Sequence, residues 1–200
     1  MLRIQPIHCR QQGFTLLEVL ITLIVMTFGI LGLANLQAKM HVANMESYQR
    51  AQAVLLLEDM ASRINVNRAV AATYLTTGMT PAYLGVGDTQ PVNPGTPCPA
   101  TAGLARDQCE WSNALKGAAE IKSGANVGAM IGARGCVEQV IAPVVATCTP
   151  GVYRVTVVWQ GMNPTVAPSL ACGQNLYGGA SMDNYRRAIS SLITVGLTTC

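Results

Sequence analysis

A chain of 200 residues, half of them hydrophobic, has the material for one modest core plus an accessory segment, and too little for two independent domains. Thirteen Lys and Arg stand against ten Asp and Glu, and no basic stripe interleaves with aromatics, which argues against nucleic acid as a partner. The mean hydropathy of +0.32 is concentrated in one N-terminal run, a composition that fits an anchored protein with an ordinary globular remainder.

That run comes first in the chain. Val19 to Ala38 are twenty consecutive uncharged residues. At about 1.5 Å per residue they span roughly 30 Å of helix, the thickness of a bilayer's hydrocarbon. Arg3 and Arg10 precede the run and Lys39 is the first basic residue after it, so the leading segment is expected to stay cytoplasmic and the rest to be translocated. A secretory signal peptide would have a shorter apolar core and small residues framing its cleavage point, and no Ala-x-Ala stands at the end of this run. The anomaly is Glu18, at the entrance of the run. A carboxylate in apolar surroundings costs several kcal/mol unless it is paired, so its presence calls for a partner of opposite sign.

Gly13-Phe14-Thr15-Leu16-Leu17-Glu18-Val19-Leu20, after a short basic leader, resembles the class III signal of type IV pilins and type II secretion pseudopilins. The resemblance implies that prepilin peptidase cuts between Gly13 and Phe14 and methylates the new amine, making Phe14 N-methylphenylalanine and Glu18 the fifth residue of the mature chain. The ammonium freed by cleavage would then be the counterion of Glu18, within one chain or between neighbours. Residues Gly29-Ile30-Leu31-Gly32-Leu33-Ala34-Asn35-Leu36-Gln37 are similar to the Gly-x-Leu-Gly-Leu-x-x-Leu-Gln pattern of the PilV family of minor pilins. Many major pilins carry proline where this chain has Asn35. Gly29 and Gly32, with Thr22 and Thr27, weaken the helix locally, which serves close helix packing or a soft spot.

Beyond Lys39 the pattern turns amphipathic, with Ala43, Ser47, Ala51, Val54, Leu57, Ala61 and Ile64 on one face, so one long helix is expected to continue out of the membrane. Glu46 with Arg50 and Asp59 with Arg63 are spaced as i,i+4 pairs. Met40, Met45 and Met60 read as packing residues. The helix is expected to fray before Gly78 and Pro81. Residues 76 to 105 hold Pro81, Pro91, Pro94, Pro97 and Pro99 with five glycines, the mark of a loop. Asp107 and Glu110 resemble a capping box for a short helix that lays Trp111 and Leu115 on the core.

Three strands are expected over Arg134–Ile141, Val152–Gln160 and Arg187–Leu197. In the second, Tyr153, Val155, Val157 and Trp159 share a face; in the third, Ile189, Ile193 and Val195 do. This alternation predicts an antiparallel sheet covered on one side by the amphipathic helix. The fold class is therefore α+β, a long helix on a small antiparallel sheet, as the pilin resemblance also implies.

Seven cysteines form no Cys-x-x-Cys pair. Cys9 lies in the leader and is expected to remain a thiol. Cys98, Cys109, Cys136, Cys148, Cys172 and Cys200 are an even set suited to disulfides in an oxidising compartment. One of several possible arrangements closes Cys98–Cys109, Cys136–Cys148 and Cys172–Cys200.

The only histidines are His8, in the leader, and His41, on the long helix. Neither supplies a relay, and no phosphate loop, metal pattern or EF-hand occurs, so no enzyme, cofactor or metal is expected. The expected organisation is a leader (1–13), a membrane and filament-core half-helix (14–38), an amphipathic half-helix (39–75) and a periplasmic globular domain (76–200). The resemblance implies a structural subunit whose partners are prepilin peptidase, inner-membrane lipid and other minor and major pilins. A type II secretion pseudopilin and a membrane-anchored periplasmic binding module are the alternatives.

Overall fold

The computed structural model describes residues 13–92, 95–126, 128, 130–178 and 183–198. Helix α1 runs over Leu16–Val66, followed by a 3-10 helix at Arg68–Tyr74. Then come β1 (Leu84–Gly85), α2 (Leu104–Leu115), β2 (Ile121–Lys122), β3 (Ala125–Asn126), β4 (Arg134–Ile141), β5 (Gly151–Gln160) and β6 (Arg186–Val195). The chain divides into two compact units, one ending at Asn44 and the other beginning at Met45.

The second unit is a helix on a sheet. Four strands lie in the order β1-β4-β5-β6, every pairing antiparallel, and β2 and β3 form a separate small hairpin. The three long strands form where the alternation predicts, within a residue or two at their ends. Tyr153, Val155, Val157 and Trp159 are buried together with Val137 of β4 and Val195 of β6. From α1 the core receives Ala53, Leu57, Met60 and Ile64.

This face is rotated from the expected one. Ala43, Ser47 and Ala51 are exposed, because the deeper side of the helix is set by Leu57, Met60 and Ile64, the residues with most apolar area to remove from water. Met60 packs as expected of a thioether, whereas Met40 and Met45 are half exposed.

Helix α2 closes the core. Trp111 is fully buried and its indole N–H donates to the carbonyl of Leu56 at 2.8 Å. Gly135 explains how the ring fits: a β-carbon there would fall 2.0 Å from Trp111 Cη2. The residue that makes β4 a weak strand by propensity is the one that lets the indole lie on the backbone.

Asp107 and Glu110 are not a capping box. Helix α2 starts earlier, with Gly103 at its N-cap and no side-chain cap, and both acids reach across to α1. Arg63 Nη1 lies 3.0 Å from Asp107 and 2.8 Å from Glu110, while its Nε holds the expected i,i+4 contact to Asp59 at 3.1 Å. Asp107 also accepts from the Tyr74 hydroxyl and from Asn67. Burial works against the Arg63 charge, but its hydrogen bonds to Glu110 and Asp59 outweigh that and hold the guanidinium firmly protonated. Burial and the Asp107 carboxylate keep the Tyr74 hydroxyl from ionising. The other expected helix pair is replaced: Glu46 binds Arg187 of β6 at 3.2 Å and accepts from the Met162 amide, leaving Arg50 exposed. A pair that ties two elements together gains more than one along a solvated helix.

The sheet is also not covered on one side only. Past β5, residues 161–178 fold over part of the outer face, where Cys136, Val158, Cys172 and Tyr177 form a second buried cluster. Arg186, 1% exposed, holds this segment through the carbonyls of Pro168, Leu170 and Cys172 and the carboxylate of Asp183. The disulfides follow this layout. Cys98 bonds to Cys109, the expected pair, but Cys136 bonds to Cys172 rather than to Cys148. The expected Cys136–Cys148 and Cys172–Cys200 pairings are therefore both wrong, because the covering segment brings Cys172 onto β4. Cys148 is disulfide-bonded as well, and Cys9 and Cys200 lie outside the described residues.

Arg106 and Arg63 together hold the Glu110 carboxyl below its usual value of 4.5. A carboxyl depressed in the folded state stabilises above its unfolded pKa, and that contribution disappears as pH falls through the folded value. Thermal unfolding of the wild type should lose midpoint temperature as pH drops below about 4.5, and Glu110→Gln should flatten that loss. Parallel curves for the two proteins would contradict the assignment.

Candidate processing and assembly segment

The first described residues, Gly13, Phe14 and Thr15, precede the helix. Among the described residues nothing comes within 4 Å of where a β-carbon on Gly13 would stand, and Phe14 is 81% exposed. The Gly13–Phe14 peptide bond therefore lies in open, non-helical chain, the form in which a peptide can be laid into a protease.

Helix α1 starts at Leu16 because Thr15 caps it. The Glu18 amide donates to Thr15 Oγ1 at 3.2 Å and to the Thr15 carbonyl at 3.1 Å. Thr15-x-x-Glu18 has the spacing of a capping box, in which a threonine N-cap binds the amide of the third helical residue and an acid occupies that position. The carboxylate of Glu18 thus sits in the first turn, where the helix dipole favours negative charge. This cap was readable in the sequence, since the Thr and Glu stand three apart directly before an apolar run.

From Val19 to Ala34 the helix surface is apolar and exposed. Its two hydroxyls are turned inward: Thr22 Oγ1 donates to the Val19 carbonyl and Thr27 Oγ1 to the Ile24 carbonyl, both at 2.8 Å. A hydroxyl satisfied within its own helix costs little in hydrocarbon. Neither Gly29 nor Gly32 has any atom within 4 Å of where a β-carbon would stand, so both leave a shallow open strip.

Glu18 makes no ion pair among the described residues. Gly13 and Phe14 lie in the short non-helical stretch before α1 and Glu18 in its first turn. His41 is exposed, His8 lies outside the described residues, and among the described residues no three His, Cys, Asp or Glu gather as a metal site.

Residues 8–34 match the prokaryotic N-terminal methylation motif. Over these residues the motif supports a class III, prepilin-type signal, the kind that type IV pilin-like proteins and pseudopilins carry. The motif implies processing by prepilin peptidase, and together with a helix long and apolar enough to cross a bilayer it supports membrane anchoring. No curated protein and no solved structure matches the chain.

Removing an N-cap hydroxyl costs about 1 kcal/mol, which is about fivefold in local opening. Thr15→Val should therefore speed amide exchange at Glu18 by about that factor in detergent micelles, and Thr15→Ser should restore protection. Unchanged exchange in Thr15→Val would remove the cap.

Proposed function

We propose that this chain is a minor pilin, a structural subunit of the type IV pilus similar to the PilV family, which acts in starting or shaping the filament and so in adhesion or twitching motility. The observation that carries the reading is the methylation motif at residues 8–34 with a single carboxylate, Glu18, at the head of an otherwise uncharged helix surface. Residues 1–13 are the leader removed by prepilin peptidase, and Phe14 receives the methyl group. The new ammonium then pairs with Glu18 of the same chain or of a neighbour, which offsets the cost of burying the acid and sets the axial position of one subunit against the next. Residues 14–38 pack with the equivalent helices of other minor and major pilins. Before assembly the leader faces the cytoplasm and the sheet domain the periplasm, anchored in the inner membrane.

A type II secretion pseudopilin uses the same signal, and the motif fits it equally. The glycine-leucine pattern from Gly29 to Gln37 favours the pilus. An anchored binding module would keep its leader.

Intact-mass analysis of the protein from membranes or sheared filaments should show loss of residues 1–13 with one added methyl. A full-length mass in functional cells would overturn the reading. Glu18→Ala should leave cleavage largely intact and deplete the subunit from sheared filaments; wild-type amounts there would refute the charge-pair role.

A further inference from the structure

Arg134, at the start of β4, lies between two aromatic rings, its Cζ 5.2 Å from the centroid of Tyr83 and 5.0 Å from that of Tyr177. Tyr177 is buried and its hydroxyl donates to the Gly132 carbonyl at 2.5 Å, so one wall of the clamp is fixed. Arg134 Nη1 donates to the same carbonyl at 3.0 Å. The Tyr177 hydroxyl also interacts with this guanidinium, while its Nε is buried without a partner.

What sets this guanidinium apart is charge. Each of the other half-buried or buried cations holds a carboxylate: Arg63 with Asp59, Asp107 and Glu110, Lys116 with Asp88, Arg154 with Glu138, Arg186 with Asp183, and Arg187 with Glu46. Lys39, Arg50, Arg68 and Lys122 hold none, but all four are exposed and solvated. Arg134 alone among the described residues is partly withdrawn from water with no acid beside it. None of the ten Asp and Glu side chains, all of them among the described residues, pairs with Arg134. A desolvated charge without a counterion is costly, and the two ring faces compensate only in part.

The two ring contacts and the Gly132 carbonyl restrict the planar guanidinium, so less side-chain freedom is left to lose on binding. At Gly87, where φ is +90°, even a β-carbon would stand 3.9 Å from Nη2, and glycine leaves that approach open. Buried Nε is out of a partner's reach, so it is the outer end of the fork, Nη2 and the second Nη1 hydrogen, that is complementary to a carboxylate, and Tyr and Arg are among the side chains that most often anchor protein interfaces.

We propose that Arg134, clamped between Tyr83 and Tyr177, is a docking point for a carboxylate side chain presented by a protein partner. The proposal stands independently of membership in the pilus. It is tested on the full chain in neutral-detergent micelles by titrating a capped peptide, Gly-Glu-Glu-Gly, and following the arginine Nε–H signals by NMR, with inorganic phosphate as a second probe. The Arg134 signal should shift and saturate with the peptide. Arg134→Gln should weaken peptide binding at least about tenfold, and Arg68→Gln, at an exposed unpaired arginine, should leave it unchanged. Should Arg134→Gln fail to fold, Arg134→Lys takes its place: it keeps the charge and the ring contacts but loses the fork, and weakened binding there supports the proposal while wild-type binding overturns it. No saturable shift, a response to phosphate without one to the peptide, or equal weakening by Arg68→Gln would each overturn it.

Discussion

One helix has to satisfy two surroundings, and most of the structure follows from how its sequence changes along its length. From Val19 to Ala34 the helix presents almost only apolar side chains in every direction, which a bilayer or a bundle of like helices can solvate. From Met45 the apolar side narrows to Ala53, Leu57, Met60 and Ile64, and a sheet can cover it. The transition needs no break in the backbone, because hydrogen bonding within the helix is complete in either medium. Specificity is therefore left to the side chains.

In the sheet domain, long-range ionic contacts do much of the positioning. Arg63 joins α1 to α2, Arg187 joins β6 to Glu46, and Arg186 gathers three carbonyls that no strand or helix would otherwise satisfy. The covering segment over residues 161–178 is long for a loop without regular structure. It is held in its middle by this guanidinium and by the Cys136–Cys172 bond, and near its far end by the packing of Tyr177 on Val158.

The sequence was most informative where period and propensity agree. Alternation from Tyr153 to Trp159 located β5 and its buried face, because a strand with one side in a core has no other way to write its pattern. The apolar run and the Gly13-Phe14 signal were legible for the same reason: they are local and extreme. The helix face was misjudged because small alanines at 43, 51 and 61 carry the same periodicity as the true stripe without its buried area. Asp107 and Glu110 looked like a local cap because their true partner, Arg63, is more than forty residues away in sequence, and no spacing rule encodes such a contact. Cys136 was paired wrongly for a related reason. A hairpin offers the nearest partner along the chain, whereas the fold over the outer face of the sheet chose a distant one. Thr15 is legible in the same way, three residues before an acid and directly ahead of an apolar run.

The inward-turned hydroxyls of Thr22 and Thr27 carry a consequence for how this helix meets its surroundings. Between Val19 and Ala34 they are the only side chains able to donate or accept a hydrogen bond, and each is already engaged with a carbonyl of its own backbone. The surface over that stretch is smooth in the chemical sense, so shifting an adjoining rod along it by one turn changes almost nothing. Position along the axis can then be told only at the ends of the stretch, by the acid before it and by Asn35 and Gln37 after it.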